Sequence, residues 1–558
     1  MENFALNILI SGEAGQGLQT IGLLFVKGLV RNGYHVHTSQ TFESRIRGGY
    51  STFSIRTGNK KILAPSDSVD LIFAFNENHI KKDLEGLSPS GIILGSNEWK
   101  IDDNRFVGAP FSTFGEKRYW NIAGLGILSS LMGMGLKEFS KIVQERFESS
   151  VAKKNMEALE SAFQWAEKQN LSFQKLPAVE TMETLWVMDC HESLAFGAVS
   201  GGIKFCAFYP MSPSTSIPQT LINHAESLGI VVEQVEDEIS ALNMAIGASY
   251  CGAPALVPTS GGGFALMTEA LSLSAATETP VVIVVAQRPG PATGLPTRTE
   301  QGDLRLVLGS GHGEFPRAIF APSNVEDCFH ITRHAVDVAE RYQIPVILLT
   351  DHYLSSSYQD MTPLDVTELP FIQSGQDPSG IESPYLRYRL TDTGVSPRLL
   401  PGQSHHLVIA DSHEHTEDGH ITEDLKFRPK LVEKRLKKEK SLAAEILPPE
   451  FSGSSAPDLL LVSWGSSRGA VLEAAEQLQK KQLTVGCLHF CQLWPLNPNH
   501  FLPQLKTARR VVGVEGNATG QLCRLIREET GFTIEERISR YDGLALTPEY
   551  ILKGLGQS

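Results

Sequence analysis

The run Val281-Val282-Ile283-Val284-Val285 has no polar side chain, and it ends at a loop that opens with Arg288 and is crowded with glycine and proline. A strand that is apolar on both faces must be covered on both, which places it inside a sheet flanked by helices. Upstream lie an acidic helix entry, Glu236-Asp237-Glu238, and a helix over 239–250 carrying the small residues Ala241, Ala245, Gly247 and Ala248. An apolar strand over 255–259 follows, then the turn Ser260-Gly261-Gly262-Gly263. The pattern sets a carboxylate within a packed αβ layer. It also brings a cationic loop with the hydroxyls of Thr293, Thr297 and Thr299 to a strand's carboxyl end, where open α/β sheets bind ligands.

The same alternation recurs on either side, so the fold class is α/β with three α/β domains. At 558 residues the chain has room for about three or four domains. The first segment, 1–174, opens with a strand over 5–10, a turn over 11–17 and a helix over 20–31. Strands over 69–75 and 91–94 and helices over 121–134 and 136–169 follow, and together they predict a parallel sheet covered on both faces. A polar connection over 171–188 leads to the second segment, 188–355, with strands over 204–209, 230–235, 255–259, 281–285, 318–321 and 345–350. Residues 356–450 form an irregular connecting region. Within it the run Glu433-Lys434-Arg435-Leu436-Lys437-Lys438-Glu439-Lys440 reads as a solvated helix face, because acids interleave the bases. Regular structure returns over 451–558, with strands over 459–462, 484–488 and 510–514.

A net charge of -14 argues against a nucleic-acid partner. No stretch approaches the roughly 20 apolar residues of a membrane span. The start, MENFALNILISGEAG, lacks the basic region of a signal peptide. Seven scattered cysteines without a framework point to a reducing cytoplasm. Cys487 and Cys491 read as buried thiols, so no metal site and no iron–sulfur ligand pattern is expected on this chain.

Each motif has a plain structural reading beside a functional one. Gly12, Gly15 and Gly17 stand between a strand and a helix, where glycine lets backbone approach an anion, but a tight turn needs the same residues. Arg47, beside Gly48-Gly49, could grip that anion or sit in a surface turn. Tyr209-Pro210-Met211-Ser212-Pro213-Ser214-Thr215 follows a buried strand; Ser214 or Thr215 suits a helix cap, and Ser212 a ligand contact. Acids in a helix's first turn complement its dipole, which accounts for one or two of Glu236, Asp237 and Glu238. A carboxylate on the packed face would be taken out of water. Arg288 suits a carboxylate or phosphate, or a salt bridge that pins its loop.

Taken together, these motifs resemble the 2-oxoacid:ferredoxin oxidoreductases, in the form whose α subunit carries a γ domain at its N-terminus, with 2-oxoglutarate enzymes as the nearest branch. Gly12–Gly17 and Arg47-Gly48-Gly49 match the γ domain. Residues 209–215, 236–241, 259–267 and 288–304 match the thiamine-diphosphate pyrimidine-binding domain, the segment RPGPATGLPTRTEQGDL being the most specific. Residues 385–415 resemble the connecting region, and Gly516-Asn517-Ala518-Thr519-Gly520-Gln521 the transketolase C-terminal-like domain.

The resemblance implies oxidative decarboxylation of a 2-oxoacid, 2-oxoglutarate first, to acyl-coenzyme A and carbon dioxide, with reduction of ferredoxin. It assigns Glu238 the catalytic contact to N1′ of thiamine diphosphate and Ser260 a further cofactor contact. Arg288 is assigned the substrate carboxylate, and Ser212 and Thr297 the pocket lining. The sequence has Met211-Ser212 where the family has Ile-Thr, and His191-Glu192-Ser193 where it has Asn-Glu-Ala. No Gly-Asp-Gly…Asn motif for magnesium diphosphate and no cluster cysteines are evident. The resemblance puts Mg2+, the diphosphate and an iron–sulfur cluster on a separate β subunit, which implies an α2β2 enzyme. The same chemistry on pyruvate, a branched-chain or an aryl 2-oxoacid is the nearest alternative. A non-catalytic assembly subunit is the alternative of a different class, and a stand-alone transferase lacks the diphosphate half.

Overall fold

The apolar residues of ALNILISGEA build a strand, Ala5–Ala14, whose Leu6, Ile8 and Ile10 share one core with Phe25 and Leu29 of the helix Leu18–Arg31. In this computed structural model the described residues are 4–43, 48–169, 173–177, 179 and 184–557. They divide into two units, the first made of 1–188, 356–364 and 547–550 and the second of the remainder. Among the described residues no helix is long and apolar enough to cross a membrane.

The first unit is built on an eight-stranded sheet, which is mixed rather than parallel. Ala5–Ala14 runs parallel to Val69–Ala74, Leu87–Ser96 and Phe106–Ala109 on one side. On its other side it is antiparallel to Gly48–Gly58, which pairs in turn with His35–Thr41 in an antiparallel hairpin. The sequence expectation of an all-parallel sheet fails here because HVHTSQT is polar along most of its length and does not announce a strand. Its partner supplies the apolar register instead, with Ile10 facing Phe53 and Thr38 facing Ile55. Asp360, on the strand Tyr358–Met361, accepts from the Val36 backbone N–H at 2.7 Å and ties that late segment to the hairpin. The helix expected over 136–169 is two helices, Leu136–Arg146 and Ser149–Gln169.

The second unit holds a seven-stranded and a five-stranded sheet. The seven-stranded order is Gln492–Trp494, Ala318–Phe320, Pro345–Asp351, Val281–Gln287, Ala255–Thr259, Phe205–Phe208 and Val231–Gln234. All neighbours are parallel except the Gln492–Trp494 edge. Val281 to Val285 are all buried, at about 1.5–3 kcal/mol of apolar transfer for each side chain. The five-stranded sheet is parallel from Val485–Phe490 through Leu459–Trp464 and Arg510–Glu515 to Glu536–Ser539, with Glu450–Gly453 antiparallel at its edge.

The lysine-rich run corrects the sequence expectation. It does lie in a helix, Arg428–Ala443, but Lys434 and Lys438 are each only 1% exposed. Lys434 Nζ lies 2.5 Å from Glu278 Oε1 and Lys438 Nζ 2.6 Å from Glu278 Oε2. The Arg387 guanidinium donates to the Glu278 carbonyl at 2.7 Å, and the Tyr388 hydroxyl to the Thr277 carbonyl at 3.2 Å. Two spaced lysines read as solvated because a lone charge is expensive to bury. Their counter-ion comes from a turn 156 positions earlier than Lys434.

Candidate active site

The strands Phe205–Phe208, Ala255–Thr259 and Val281–Gln287 run parallel, so the loops at their carboxyl ends gather along one edge of the sheet. Those loops carry the residues that the sequence singled out.

Three consecutive acids take three different positions. Asp237 is the N-cap of the helix Glu238–Tyr250 and accepts from the Ser240 backbone N–H at 2.7 Å. Glu236 accepts from the Ser240 hydroxyl at 3.0 Å, at the surface. Glu238 turns inward and is 4% exposed. The expectation that one or two acids simply serve the helix entry thus describes Glu236 and Asp237. A Cβ added at Gly263 would stand 2.8 Å from Glu238 Oε1 and 2.3 Å from Thr259 Oγ1, so only glycine leaves the carboxylate its place. Ser260 is fully buried, and its hydroxyl has no hydrogen-bond partner among the described residues. Buried polar groups in native proteins are nearly always paired, so a hydroxyl left unpaired beside an inward-turned acid at one glycine turn suits a polar heterocycle.

Arg288 follows the strand Val281–Gln287 and is half-buried. Its Nη1 donates to the Ser212 carbonyl at 2.7 Å, which joins two of the expected substrate residues through backbone. The Ser212 side chain is exposed, and Thr297 is partly buried. The Ser214 hydroxyl donates to the Met211 carbonyl at 2.7 Å, while Thr215 occupies the N-cap of Ser216–Leu228 without a side-chain bond. Burial lowers the Arg288 pKa, with the charge of Asp303 opposing.

Sequence reasoning missed Asp303. A Cβ at Gly261 would stand 2.4 Å from its Oδ2, and that oxygen is buried without a hydrogen-bond partner among the described residues. Its backbone N–H donates to Gln287 Oε1 at 3.0 Å, and Gln287 Nε2 donates to the Thr350 carbonyl at 3.1 Å. Burial, with Glu300 adding and Arg288 opposing, pushes the Asp303 carboxyl up to about 6. Nothing in the sequence pairs this acid with a glycine 42 places away. His191, where the family pattern has Asn, is buried and links Ser216 at 2.8 Å with Thr350 at 3.2 Å. Burial lowers its pKa to about 3, so it is a neutral strut.

The loop after Arg288 is stapled to the C-terminal sheet. Gln301 is 3% exposed; its backbone N–H donates to the Gly516 carbonyl at 2.7 Å, and its Oε1 accepts from Gly516 N at 2.8 Å. Its Nε2 donates to the Trp464 carbonyl at 2.8 Å. Within Gly516–Gln521, Asn517 Oδ1 accepts from the backbone N–H groups of Thr519, Gly520 and Gln521, so this motif shapes a turn. Gln301→Ala strands buried partners and is expected to lower unfolding stability by about 3 kcal/mol, read as a lower urea midpoint.

In the first unit the expected glycine turn is shorter than the sequence suggests. Gly12 belongs to the strand, facing Ser51, and a Cβ there would meet Gln16 Oε1 at 2.4 Å. Gly15 and Gly17 make the turn with φ of 91° and 80°, and Asn121 crowds Gly17. Arg47 lies outside the described residues.

Comparison with known proteins follows the same layout. A family described as "Pyruvate flavodoxin/ferredoxin oxidoreductase, thiamine diP-bdg" matches residues 196–434. "Pyruvate ferredoxin/flavodoxin oxidoreductase" matches 7–165, and "Transketolase, C-terminal domain" matches 453–543. The chain is 33% identical to 2-oxoacid:ferredoxin oxidoreductase 1, subunit alpha, of Aeropyrum pernix, over 77% of this chain and 70% of that one. It is 28% identical to the 2-oxoacid:ferredoxin oxidoreductase subunit alpha of a Sulfolobus species, over 96% and 94%. Among solved structures, 2-oxoglutarate:ferredoxin oxidoreductase from Magnetococcus marinus, with 2-oxoglutarate, coenzyme A and succinyl-CoA bound, superposes with a TM-score of 0.93. That match has 29% identity and covers 99% of both chains.

Proposed function

The chain belongs to the 2-oxoacid:ferredoxin oxidoreductase family, and from that premise we propose that it is the γ-fused α subunit of a thiamine-diphosphate enzyme. The reaction is oxidative decarboxylation of a 2-oxoacid, 2-oxoglutarate first, to acyl-coenzyme A and carbon dioxide, with electrons passed to ferredoxin. The Magnetococcus marinus relative, solved with 2-oxoglutarate, coenzyme A and succinyl-CoA bound, supports that substrate and co-substrate.

The observation that carries the reading is Glu238: turned inward, 4% exposed and seated where Gly263 alone leaves it room. Thiamine diphosphate, when bound, supplies the nucleophilic carbon and the electron sink for loss of carbon dioxide. Glu238 would hold the proton shared with N1′ of the aminopyrimidine, and the unpaired Ser260 hydroxyl would add a second contact at the same turn. Both residues fit such a ring, because Glu238 turns inward at the glycine turn and the protein leaves the buried Ser260 hydroxyl unsatisfied. Arg288, oriented by the Ser212 carbonyl, would take the substrate carboxylate, with the Ser212 and Thr297 hydroxyls lining the pocket.

The diphosphate, Mg2+ and iron–sulfur cluster are assigned to a β subunit in an α2β2 enzyme, and ferredoxin is the electron acceptor. Seven cysteines, none of them in a disulfide, suit a cytoplasmic setting. Reconstitution with the β subunit tests the reading. Coenzyme-A-dependent ferredoxin reduction is expected with 2-oxoglutarate and not from this chain alone. Faster turnover of pyruvate would move the substrate assignment, and full turnover by the isolated chain would remove the heteromer.

A further inference from the structure

The loop after Arg288 is held at a second place besides Gln301, by a turn of the C-terminal domain over 540–545 that the proposed chemistry leaves without a role. That turn is built by its own side chains. Asp542 Oδ1 accepts from Arg540 Nε at 3.1 Å and from the Leu544 backbone N–H at 3.0 Å. Arg540, itself buried, donates from Nη1 to the Ala545 carbonyl at 2.7 Å. Its backbone N–H donates to the Glu515 carbonyl at 3.1 Å, which fixes the turn to the end of the strand Arg510–Glu515. At the tip Gly543 has a φ of 86°, in the left-handed region that glycine enters without steric cost.

The tip meets the loop twice. The Gly543 carbonyl accepts from the Thr299 backbone N–H at 3.1 Å. A Cβ added at Gly543 would stand 3.0 Å from Cβ and 3.2 Å from Cγ of Arg298. Thr299 is gripped from another side as well, because its Oγ1 accepts from the Tyr353 backbone N–H at 3.2 Å, just beyond the strand Pro345–Asp351. The space left between loop and turn, bordered by Thr299, Glu300, Leu544 and Ala545, is about 10 Å³, the size of a single water. A shift of the tip is therefore passed to the backbone of Arg298 and Thr299 and is not absorbed. From there a short series of bonds runs back towards Arg288. The Arg298 N–H donates to the Leu295 carbonyl at 3.1 Å, and the Leu295 N–H to the Pro289 carbonyl at 3.0 Å.

We infer that the turn over 540–545 is a positioning element for the 2-oxoacid, with Gly543 as the residue that sets where Thr297 stands. This rests on the reading of Arg288 and Thr297 as substrate contacts. A side chain at Gly543 crowds Arg298 and carries the adjoining Thr297 with it. Loss of the Asp542 carboxylate loosens the turn, so the Gly543 carbonyl no longer holds Thr299 in one place. Both changes displace a group that has to meet the substrate in a fixed geometry. Glu238, on the helix Glu238–Tyr250, is reached by none of these bonds. Substrate binding should therefore weaken while the chemistry on bound substrate continues.

The test is steady-state turnover of the reconstituted enzyme with 2-oxoglutarate, with KM and kcat read separately. G543A and D542A should each raise KM about tenfold, with kcat within about twofold of wild type. D542N keeps an oxygen for the Leu544 N–H, so its KM should lie nearer to wild type than that of D542A. Y541A, at an exposed position of the same turn, should leave KM as it is. A purely structural role predicts a different pattern, because partial unfolding lowers the amount of active enzyme and leaves KM alone. Unchanged KM in G543A and D542A, while T297A raises it, overturns the inference and leaves the substrate reading intact. T297A and R288K that both keep the wild-type KM overturn the two together. A fall in kcat at constant KM in G543A and D542A also overturns the inference. Should G543A fail to fold, the comparison of D542A with D542N decides.

Discussion

Glu238→Gln is expected to lower 2-oxoacid decarboxylation by the reconstituted enzyme about 10²–10⁴-fold, the usual weight of a positioned acid–base group. Glutamine has the volume to occupy the pocket opposite Gly263 and Thr259, so packing is conserved and the protein should unfold where the wild type does. What is lost is an oxygen that can hold and return a proton. Glu236→Gln and Asp237→Asn provide the internal control, because those acids serve Ser240 at the helix entry. Glu236→Gln should leave turnover unaltered, and so should Asp237→Asn, because asparagine caps a helix as well as aspartate does. Unchanged decarboxylation in the Glu238 variant would instead favour a non-catalytic assembly subunit.

Glu278→Ala is expected to be the most damaging single change for stability, at about 3–5 kcal/mol, because it leaves two buried ammonium groups without their carboxylate. Burial on its own would raise the Glu278 pKa, but Lys434, Lys438 and Arg387 outweigh it and hold the carboxyl well below its usual range. Burial pushes Lys438 down to about 7 even with Glu278 opposing. The group is thus held together by its partners and by little else. Replacing Glu278, Lys434 and Lys438 together with apolar residues of similar volume should restore much of the loss, since the desolvation cost disappears with the charges. Chemical denaturation of the single and triple variants separates the two outcomes. A single variant as stable as wild type would mean the cluster contributes nothing net.

The apolar strands were legible residue by residue. The strand over 255–259 was placed with both ends correct, and that over 281–285 fell two residues short of its end at Gln287. Uninterrupted apolar runs permit only burial, so composition is enough. The inward turn of one acid among Glu236, Asp237 and Glu238 was legible as a possibility, and the small residues of the following helix supplied the reason. The polar hairpin strand His35–Thr41 was not legible, because its apolar complement lies on its neighbour. Nor was the burial of Lys434 and Lys438, or the place of Asp303.

The sequence by itself determined the α/β class, the order of the segments and the family, because these follow from local periodicity and from motifs read along the chain. Tertiary structure alone decided which charges are buried, which acid faces Gly263 and which faces Gly261, and that Gln301 fastens the Arg288 loop to the C-terminal sheet. The physical reason is that a charge is settled by the groups around it in space, and here those groups come from positions far apart in the chain.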